Sequence, residues 1–431
     1  MSLNKKRFEE LMEELTVDTD TMNEIAADFR YDLRKGLQNP DLSSLRMLKS
    51  YVALPDGSET GTYLAVDFGG TNVRVSKVTL KGNGEFSIDG KVAKPLKVDG
   101  IYDFIGPDST AEQMFDFIAG LVDEVVGEDH ETPYLLGHTF SFPSEQTDLN
   151  NAKLIIWTKE FATKGVEGHV VNDLLQEALV RQGLTNVHPV AVINDTVAVL
   201  LAAAYQQPDT YIGSIYATGQ NTCYLEPFAD RADPAMILNL ESGGFMKLVP
   251  SPLDVKLDDA SEKPGEQRLE KMTSGRYMGE LFNLALGELF GEEEKCNYGF
   301  TSVDMSAILE DETPDLAKTA ALVESKTGHA LTQEECALVQ RLAKQFVARS
   351  ARLVASTFVG IIWQLAGREP IAKQHIAVDG SVYEKMPYVK ENLMRALSEL
   401  LKEDTDKVDT FLQNGGSCLG AAIAAAMSEK N

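Results

Sequence analysis

Near the start of the chain, Phe8, Leu11, Met12 and Leu15, and then Met22, Ile25, Phe29 and Leu33, recur at the spacing of one helical face. This predicts a helical start over 5–37, broken near Val17-Asp18-Thr19-Asp20. From Gly61 the period changes. Tyr63–Asp67 and Val73–Leu80 read as strands separated by Gly69-Gly70-Thr71-Asn72, and Lys81-Gly82-Asn83-Gly84 reads as a hairpin turn into Glu85–Lys91. A helix is predicted over Thr110–Val126, with Phe115, Ile118, Leu121, Val122 and Val125 on one face. A strand over Tyr134–Phe142 stops at Pro143. A helix over Val171–Gln182, a strand over Val187–Ile193 and an Ala-rich helix over Thr196–Tyr205 follow. The pattern then partly repeats. Tyr211–Tyr216 and a strand through Cys223-Tyr224-Leu225 flank Ala217-Thr218-Gly219-Gln220-Asn221, much as the runs at 63–78 flank their glycine turn. The remainder is mainly helical to Arg368, with a strand at His375–Val378 and a last helix from Ser417. Strands alternating with helices in two halves predict an α/β protein, and 431 residues suit two domains.

Composition narrows this picture. Lys and Arg number 40 against 66 Asp and Glu, so the formal net charge is 40 − 66 = −26. So acidic a chain is not built to neutralise nucleic-acid phosphates or an anionic membrane surface. With 43% hydrophobic residues in regular patterns it can bury a large core, which excludes disorder. Cys223, Cys296, Cys336 and Cys418 are far apart and form no CxxC pair, so neither a zinc site nor a redox motif is indicated, and free thiols in a reducing compartment are expected. No apolar leader is visible in the first ten residues. The apolar stretches Val354–Ala366 and Cys418–Met427 are shorter than the roughly 18 residues a membrane span needs and read as buried helices. A soluble cytoplasmic protein without nucleic-acid or membrane partners is the expectation, with monomer and homodimer left open.

Four groups of residues carry candidate chemistry. In Val66-Asp67-Phe68-Gly69-Gly70-Thr71-Asn72-Val73-Arg74, two glycines let backbone N–H groups approach an anion, Thr71 and Asn72 add side-chain donors, and Arg74 adds a cation. Asp67 suits a hydrated magnesium ion. A Gly-Gly hairpin turn with a local acceptor accounts for the same residues. The Walker spacing is absent, and Gly82-Asn83-Gly84 falls short of a dinucleotide fingerprint because the residues after it alternate like a strand. A second group, Ser141, Thr158 with Lys159, and Asn194 with Asp195, follows apolar runs, where open α/β sheets line their ligand crevice. For Asn194-Asp195-Thr196 sequence physics alone favours a helix N-cap over a ligand site, and Trp157 reads as core. The third group is Asn221, Glu241 and Glu270, amides and carboxylates near glycines that suit a polyol, although each alone reads as a solvated surface residue. The fourth is Asp379-Gly380-Ser381 with Gly415-Gly416-Ser417, glycines before a helix whose N-terminus favours an anion, although a loop with a tightly packed Ala/Gly helix accounts for them equally well.

In this order, YLAVDFGGTNVRV (63–75), LGHTFSFP (136–143), WTK (157–159), VINDTVA (192–198), TGQNTCYLE (218–226), PGEQRLEKMTSGRYMGE (264–280), VDGSVY (378–383) and GSCLGAA (416–422) resemble the hexokinase family, in its single-unit hexokinase and glucokinase type. The resemblance covers the chain from about residue 47 to its end. It implies a two-domain, actin-like (ribonuclease H-like) ATPase α/β fold with a deep interdomain cleft that closes on sugar. It places a small domain at 58–193 completed by the C-terminal helix, about 419–431, and a large domain at 1–57 and 194–418. The implied activity is ATP-dependent phosphorylation of the 6-hydroxyl of a hexose, glucose first, with Mg2+.

Residue by residue, Asp195 matches the family's catalytic base, and Lys159 would stabilise phosphate charge. Ser141, Thr158, Lys159, Asn194, Asn221, Glu241 and Glu270 match its sugar contacts. Asp67, Gly69, Gly70, Thr71, Asn72, Arg74, Thr218, Gly219, Arg276, Gly380, Ser381, Gly416 and Ser417 match nucleotide-side positions, with Ser302 and Ser306 aligning loosely beside them. Asp67 would meet the metal through water. A non-catalytic sugar sensor or scaffold on the same fold is the second reading. The chain departs from the family pattern after Glu241, where Ser242-Gly243-Gly244-Phe245-Met246 replaces the usual Trp-Gly-Ala-Phe-Gly, at Glu160 in place of a glycine, and at His138 in place of an apolar residue.

Overall fold

The computed structural model describes residues 3–70, 72–158, 160–228, 234–292 and 297–429. The chain forms two compact units. One comprises Met1–Met47, Ser214–Thr222 and Leu240–Leu412, and the other Leu48–Gly213, Cys223–Asn239 and Gln413–Asn431. They are called here the first and second unit.

The first unit opens with helices Lys5–Glu14 and Thr19–Gln38. The predicted break between them is a cap, since the Asp18 carboxylate accepts from the Thr21 N–H at 2.8 Å. The 34-residue helix Gln333–Ala366 is the unit's spine and packs against Thr19–Gln38 and Val389–Leu401. By length and composition it is apolar enough to cross a membrane, but 83% of its most apolar window is buried inside the protein. It also carries Arg349, which is buried and forks onto buried Asp254, with Nη1 3.0 Å from Oδ1. Asp254 in turn accepts from the N–H and hydroxyl of Ser251, closing a capping box on Pro252–Ala260. Strands Gln374–Asp379 and Val408–Leu412 pair in parallel. The second of these is not legible in the pattern, because its five residues follow the charged 3-10 turn Lys402–Lys407 and show only one and a half alternations of burial.

The second unit is organised on a five-stranded sheet, ordered Val187–Ile193, Tyr134–Phe140, Thr60–Phe68, Asn72–Gly82 and Glu85–Pro95. The first three strands run parallel and the last three form antiparallel pairs. Leu64, Val66 and Phe68 face a core completed by Ala111–Val126 and Val171–Arg181. Tyr63 and Ala65 face a second core made with Asp195–Gln206 and Gly416–Ser428. Burial on both faces explains why the strand reads as an almost unbroken apolar run. The small residues of GSCLGAAIAAA have a steric cause. A Cβ on Gly420 would lie 2.1 Å from the Ala198 carbonyl oxygen, and one on Gly137 would lie 1.8 Å from that of Ala421. The helix is therefore wedged between strand Tyr134–Phe140 and helix Asp195–Gln206. Strand Met236–Asn239, also not predicted from the pattern, pairs antiparallel with Cys223–Glu226 and with Leu48–Lys49.

Candidate functional site

In the second unit the hairpin register sets Asp67 opposite Arg74, and Arg74 Nη1 donates to Asp67 Oδ2 at 2.8 Å. The carboxylate is nearly buried and the guanidinium half exposed. Strand Tyr134–Phe140 runs parallel beside Thr60–Phe68 and delivers Ser141 to the same end, where its N–H donates to the Phe68 carbonyl at 3.3 Å. A Cβ on Gly69 would lie 2.8 Å from Ser141 Oγ and 4.0 Å from Asp67 Oδ1, so these three groups share one corner. Around Gly70 the turn is open, with no atom of a described residue beyond its chain neighbours within 4 Å of an added Cβ, and Asn72 is exposed. Thr71 lies outside the described residues. The Thr139 hydroxyl donates to the Ser417 carbonyl at 2.9 Å, which brings Gly416 and Ser417, at the start of the last helix, to the same strand ends. Burial, and then the charge of Asp67, push the Cys418 thiol up to about 11.

Strand Val187–Ile193 ends at Asn194 and Asp195. Asn194 is the N-cap of helix Asp195–Gln206, its Oδ1 accepting from the N–H and hydroxyl of Thr196 at 3.0 and 2.7 Å. Asp195 Oδ1 also accepts from the Thr196 N–H, at 2.8 Å. Both residues are half-buried. The capping reading is thus correct for Asn194, and it fixes the adjacent carboxylate at a helix N-terminus, where negative charge is favoured. Trp157 is core, as the sequence suggests. Its indole N–H donates to the Thr163 carbonyl at 2.9 Å, and its ring packs 4.8 Å from Phe142 and 5.1 Å from Phe161. This aromatic layer carries the half-buried Thr158; Lys159 lies outside the described residues. Beneath Phe68, His138 is fully buried with Nδ1 3.4 Å from Asn172 Oδ1, and burial pushes its imidazole down to about 4.

In the first unit a second set gathers on the turn Ala217–Gly219. The Gly275 N–H donates to the Ala217 carbonyl at 2.8 Å and the Arg276 N–H to the Thr218 carbonyl at 3.2 Å. Gly380 has a φ of +123° and approaches so closely that a Cβ would lie 2.6 Å from the Tyr216 carbonyl oxygen. Thr218, Gly219, Arg276, Gly380 and Ser381 are therefore neighbours. The Arg276 guanidinium is held by Glu280 at 3.0 Å and Glu262 at 3.2 Å, which raise its pKa further. Ser302 opens helix Ser302–Leu309, and the Ser306 hydroxyl contacts Met386 Sδ at 3.2 Å, just past Ser381–Lys385.

The same hairpin gathers the polyol-type group. Asn221 Nδ2 donates to Glu241 Oε1 at 3.3 Å, and Asn221 Oδ1 accepts from the N–H groups of Thr222 at 2.7 Å and Ser242 at 3.1 Å. Glu270 Oε2 accepts from the Gln220 N–H at 3.0 Å. Both carboxylates are half-buried, so neither is the solvated surface residue that each resembles in isolation. Glu241 and Gln267 hold left-handed backbones with φ of +50° and +55°, and such strained non-glycine residues concentrate at functional sites. Gln220 and Ser242 belong to this network but not to the sequence-derived set. Their amide and hydroxyl have nothing to distinguish them from surface polar groups until burial is known.

Among the described residues, no three His, Cys, Asp or Glu side chains gather as a closed metal centre. A single carboxylate at a strand end, beside an open glycine turn, fits magnesium, which keeps several waters and takes one or two carboxylates plus phosphate oxygens.

Two family models, both described as hexokinase, match the chain at residues 7–205 and 211–427. Hexokinase-1 of Schizosaccharomyces pombe is 34% identical over 465 aligned residues, covering 100% of this chain and 93% of that protein. A hexokinase crystal structure aligns with a TM-score of 0.89 at 33% identity, covering 98% of this chain and 99% of its own. The hexokinase of Schistosoma mansoni complexed with glucose aligns with a TM-score of 0.83 at 29% identity, over 98% of this chain and 99% of its own. With the α/β build described above, these likenesses give the two-domain actin-like ATPase fold.

Proposed function

The chain belongs to the hexokinase family, and we propose that it transfers the γ-phosphoryl group of ATP to the 6-hydroxyl of a hexose, with glucose as the leading acceptor. It is a sugar kinase, and nothing favours a non-catalytic sensor or scaffold. The observation that carries the reading is the interlinked set Asn221, Glu241 and Glu270. Two carboxylates and an amide held at fixed spacing can accept from and donate to adjacent hydroxyls of a neutral polyol.

Phosphoryl transfer needs an oriented hydroxyl, a proton acceptor and stabilisation of charge on the transferring group. In this reading Asp195 accepts the proton of the primary hydroxyl, and its fixed place at the helix N-terminus supports that role. Asn194, Asn221, Glu241 and Glu270, with Ser141, Thr158 and Lys159, hold the ring, and positioning alone accounts for a large share of the rate. Lys159 also stabilises the transferring phosphate. The N–H groups of the 67–74 turn, Thr218, Gly219, Gly380, Ser381 and the helix start at Gly416 and Ser417 bind the nucleotide's phosphates and base. Arg74 and Arg276 are held by carboxylates and would exchange those partners for phosphate. Asp67 would hold Mg2+ through water, and that ion supplies charge neutralisation on the phosphates when bound. The buried thiols of Cys223, Cys336 and Cys418 support a reducing, cytoplasmic setting. Coupled ADP release with glucose, fructose and mannose as separate acceptors tests the reading. Hexose-dependent ADP release is expected, fastest with glucose; ADP release that ignores the hexose overturns it.

A further inference from the structure

We propose that Gln220 and Ser242 are positioning residues, a buried polar clasp that sets Asn221, Glu241 and Glu270 for the hexose; the proposal rests on the hexokinase reading of that group. Gln220 is 2% exposed, and Thr222 and Ser242 are fully buried. Gln220 Nε2 donates to Thr222 Oγ1 at 3.1 Å, and Gln220 Oε1 accepts from the Ser242 hydroxyl at 3.1 Å. Thr222 Oγ1 is anchored by Ser214 Oγ at 3.0 Å, and Ser214 Oγ donates to the Asn221 carbonyl at 2.9 Å. One side-chain amide thus ties the hairpin strand to the loop after Glu241.

The consequences reach each of the three proposed sugar groups. The Gln220 N–H holds Glu270 Oε2. The Ser242 N–H holds Asn221 Oδ1, which turns Asn221 Nδ2 toward Glu241 Oε1. Glu241 itself sits at φ +50°, ψ +50°, at the entry to the turn Ser242–Gly244. A residue with a Cβ keeps that conformation only where its surroundings over-determine it. The clasp on Ser242, the next residue, is one such constraint, beside the Gly244 N–H on the Glu241 carbonyl at 3.0 Å. Ser242 is also the first position at which the loop departs from the motif quoted above, and its hydroxyl makes this bond to Gln220. Because these polar groups are buried, removing either partner leaves the other unsatisfied, a larger effect than the bond's net worth.

The test is steady-state kinetics on Ser242→Ala, Gln220→Met and the double variant, with thermal melts on the same preparations. Each single change should raise the KM for glucose by about 5- to 10-fold, with kcat within about 2-fold. The KM for Mg-ATP should stay unchanged. The double variant should resemble the worse single variant rather than the product of the two, because both act through one bond. An unchanged KM for glucose in an active enzyme overturns the proposal. So does a parallel rise in both KM values with a lowered melting temperature, which marks a purely structural role. Absence of hexose-dependent turnover in the unaltered protein would instead overturn the functional reading, and the proposal with it.

Discussion

In the second unit, Asp67, Ser141, Asn194 and Asp195 each stand at or just past the C-terminal end of a parallel strand, and backbone geometry fixes them. Asp67 is set by hairpin register, Ser141 by its N–H on Phe68, and Asn194 and Asp195 by a helix cap. In the first unit, Asn221 stands on a strand, Glu241 is a left-handed residue at the entry to a turn, and Glu270 sits on the short helix Arg268–Thr273 after left-handed Gln267; side-chain bonds fix them. The difference suggests a division of labour. In the proposed reading, the proton acceptor Asp195 is held where a buried strand passes into a capped helix. In the same reading, the groups proposed for the ring are held by a polar side-chain network.

The comparison can be broken at several points. Asp195→Ala should lower kcat by about 10³-fold, within the usual range for loss of a general base, measured by coupled ADP release. Wild-type-like turnover would remove Asp195 from the chemistry. The first unit should depend on its buried ion pair. Arg349→Ala leaves Asp254 charged and buried, at a cost of about 3–5 kcal/mol read from denaturant unfolding. The second unit should depend on close backbone approach. Gly137→Ala drives a methyl into the Ala421 carbonyl and should cost about 3 kcal/mol by the same measurement. A smaller effect comes from His138. Its imidazole binds a proton near 6.5 in the unfolded chain and near 4 when buried, so between those values the unfolded state holds more protons. Stability therefore falls as pH drops through 6.5 and levels off below 4. Between pH 7.5 and 5.5 this amounts to about 1 kcal/mol, and His138→Leu should remove that part of the slope while other acid-sensitive groups keep theirs.

The same comparison explains what the sequence disclosed. The strands of the second unit's five-stranded sheet are legible because burial on both faces makes Tyr63-Leu64-Ala65-Val66 an apolar run. Its candidate groups follow those strands directly, so strand ends pointed to them. Strands Met236–Asn239 and Val408–Leu412 were missed because they are short, and their pairing partners lie far away in sequence or outside any periodic pattern. Residue chemistry marks Glu241 and Glu270 only as carboxylates near glycines that suit a polyol, each reading alone as a surface residue, and the resemblance supplies their role. Residue chemistry gave no sign that a left-handed Glu241 and a left-handed Gln267 would bring Glu241 to the Asn221 side chain and Glu270 to the neighbouring Gln220 N–H. Ser242 was visible only as a departure from a motif, and its bond to Gln220 requires the fold to bring residues 22 positions apart together.

The division of labour is tested most directly by glucose binding to Asp195→Ala and Glu270→Gln, measured by isothermal titration calorimetry beside the unaltered protein. The account predicts that Asp195→Ala binds glucose within about 3-fold of the unaltered protein, because the hydroxyl's proton acceptor contributes mainly in the transition state. It predicts that Glu270→Gln weakens binding by about 10-fold or more, because a charge-assisted hydrogen bond to the ring is lost. Loss of binding in Asp195→Ala together with undiminished binding in Glu270→Gln would contradict it.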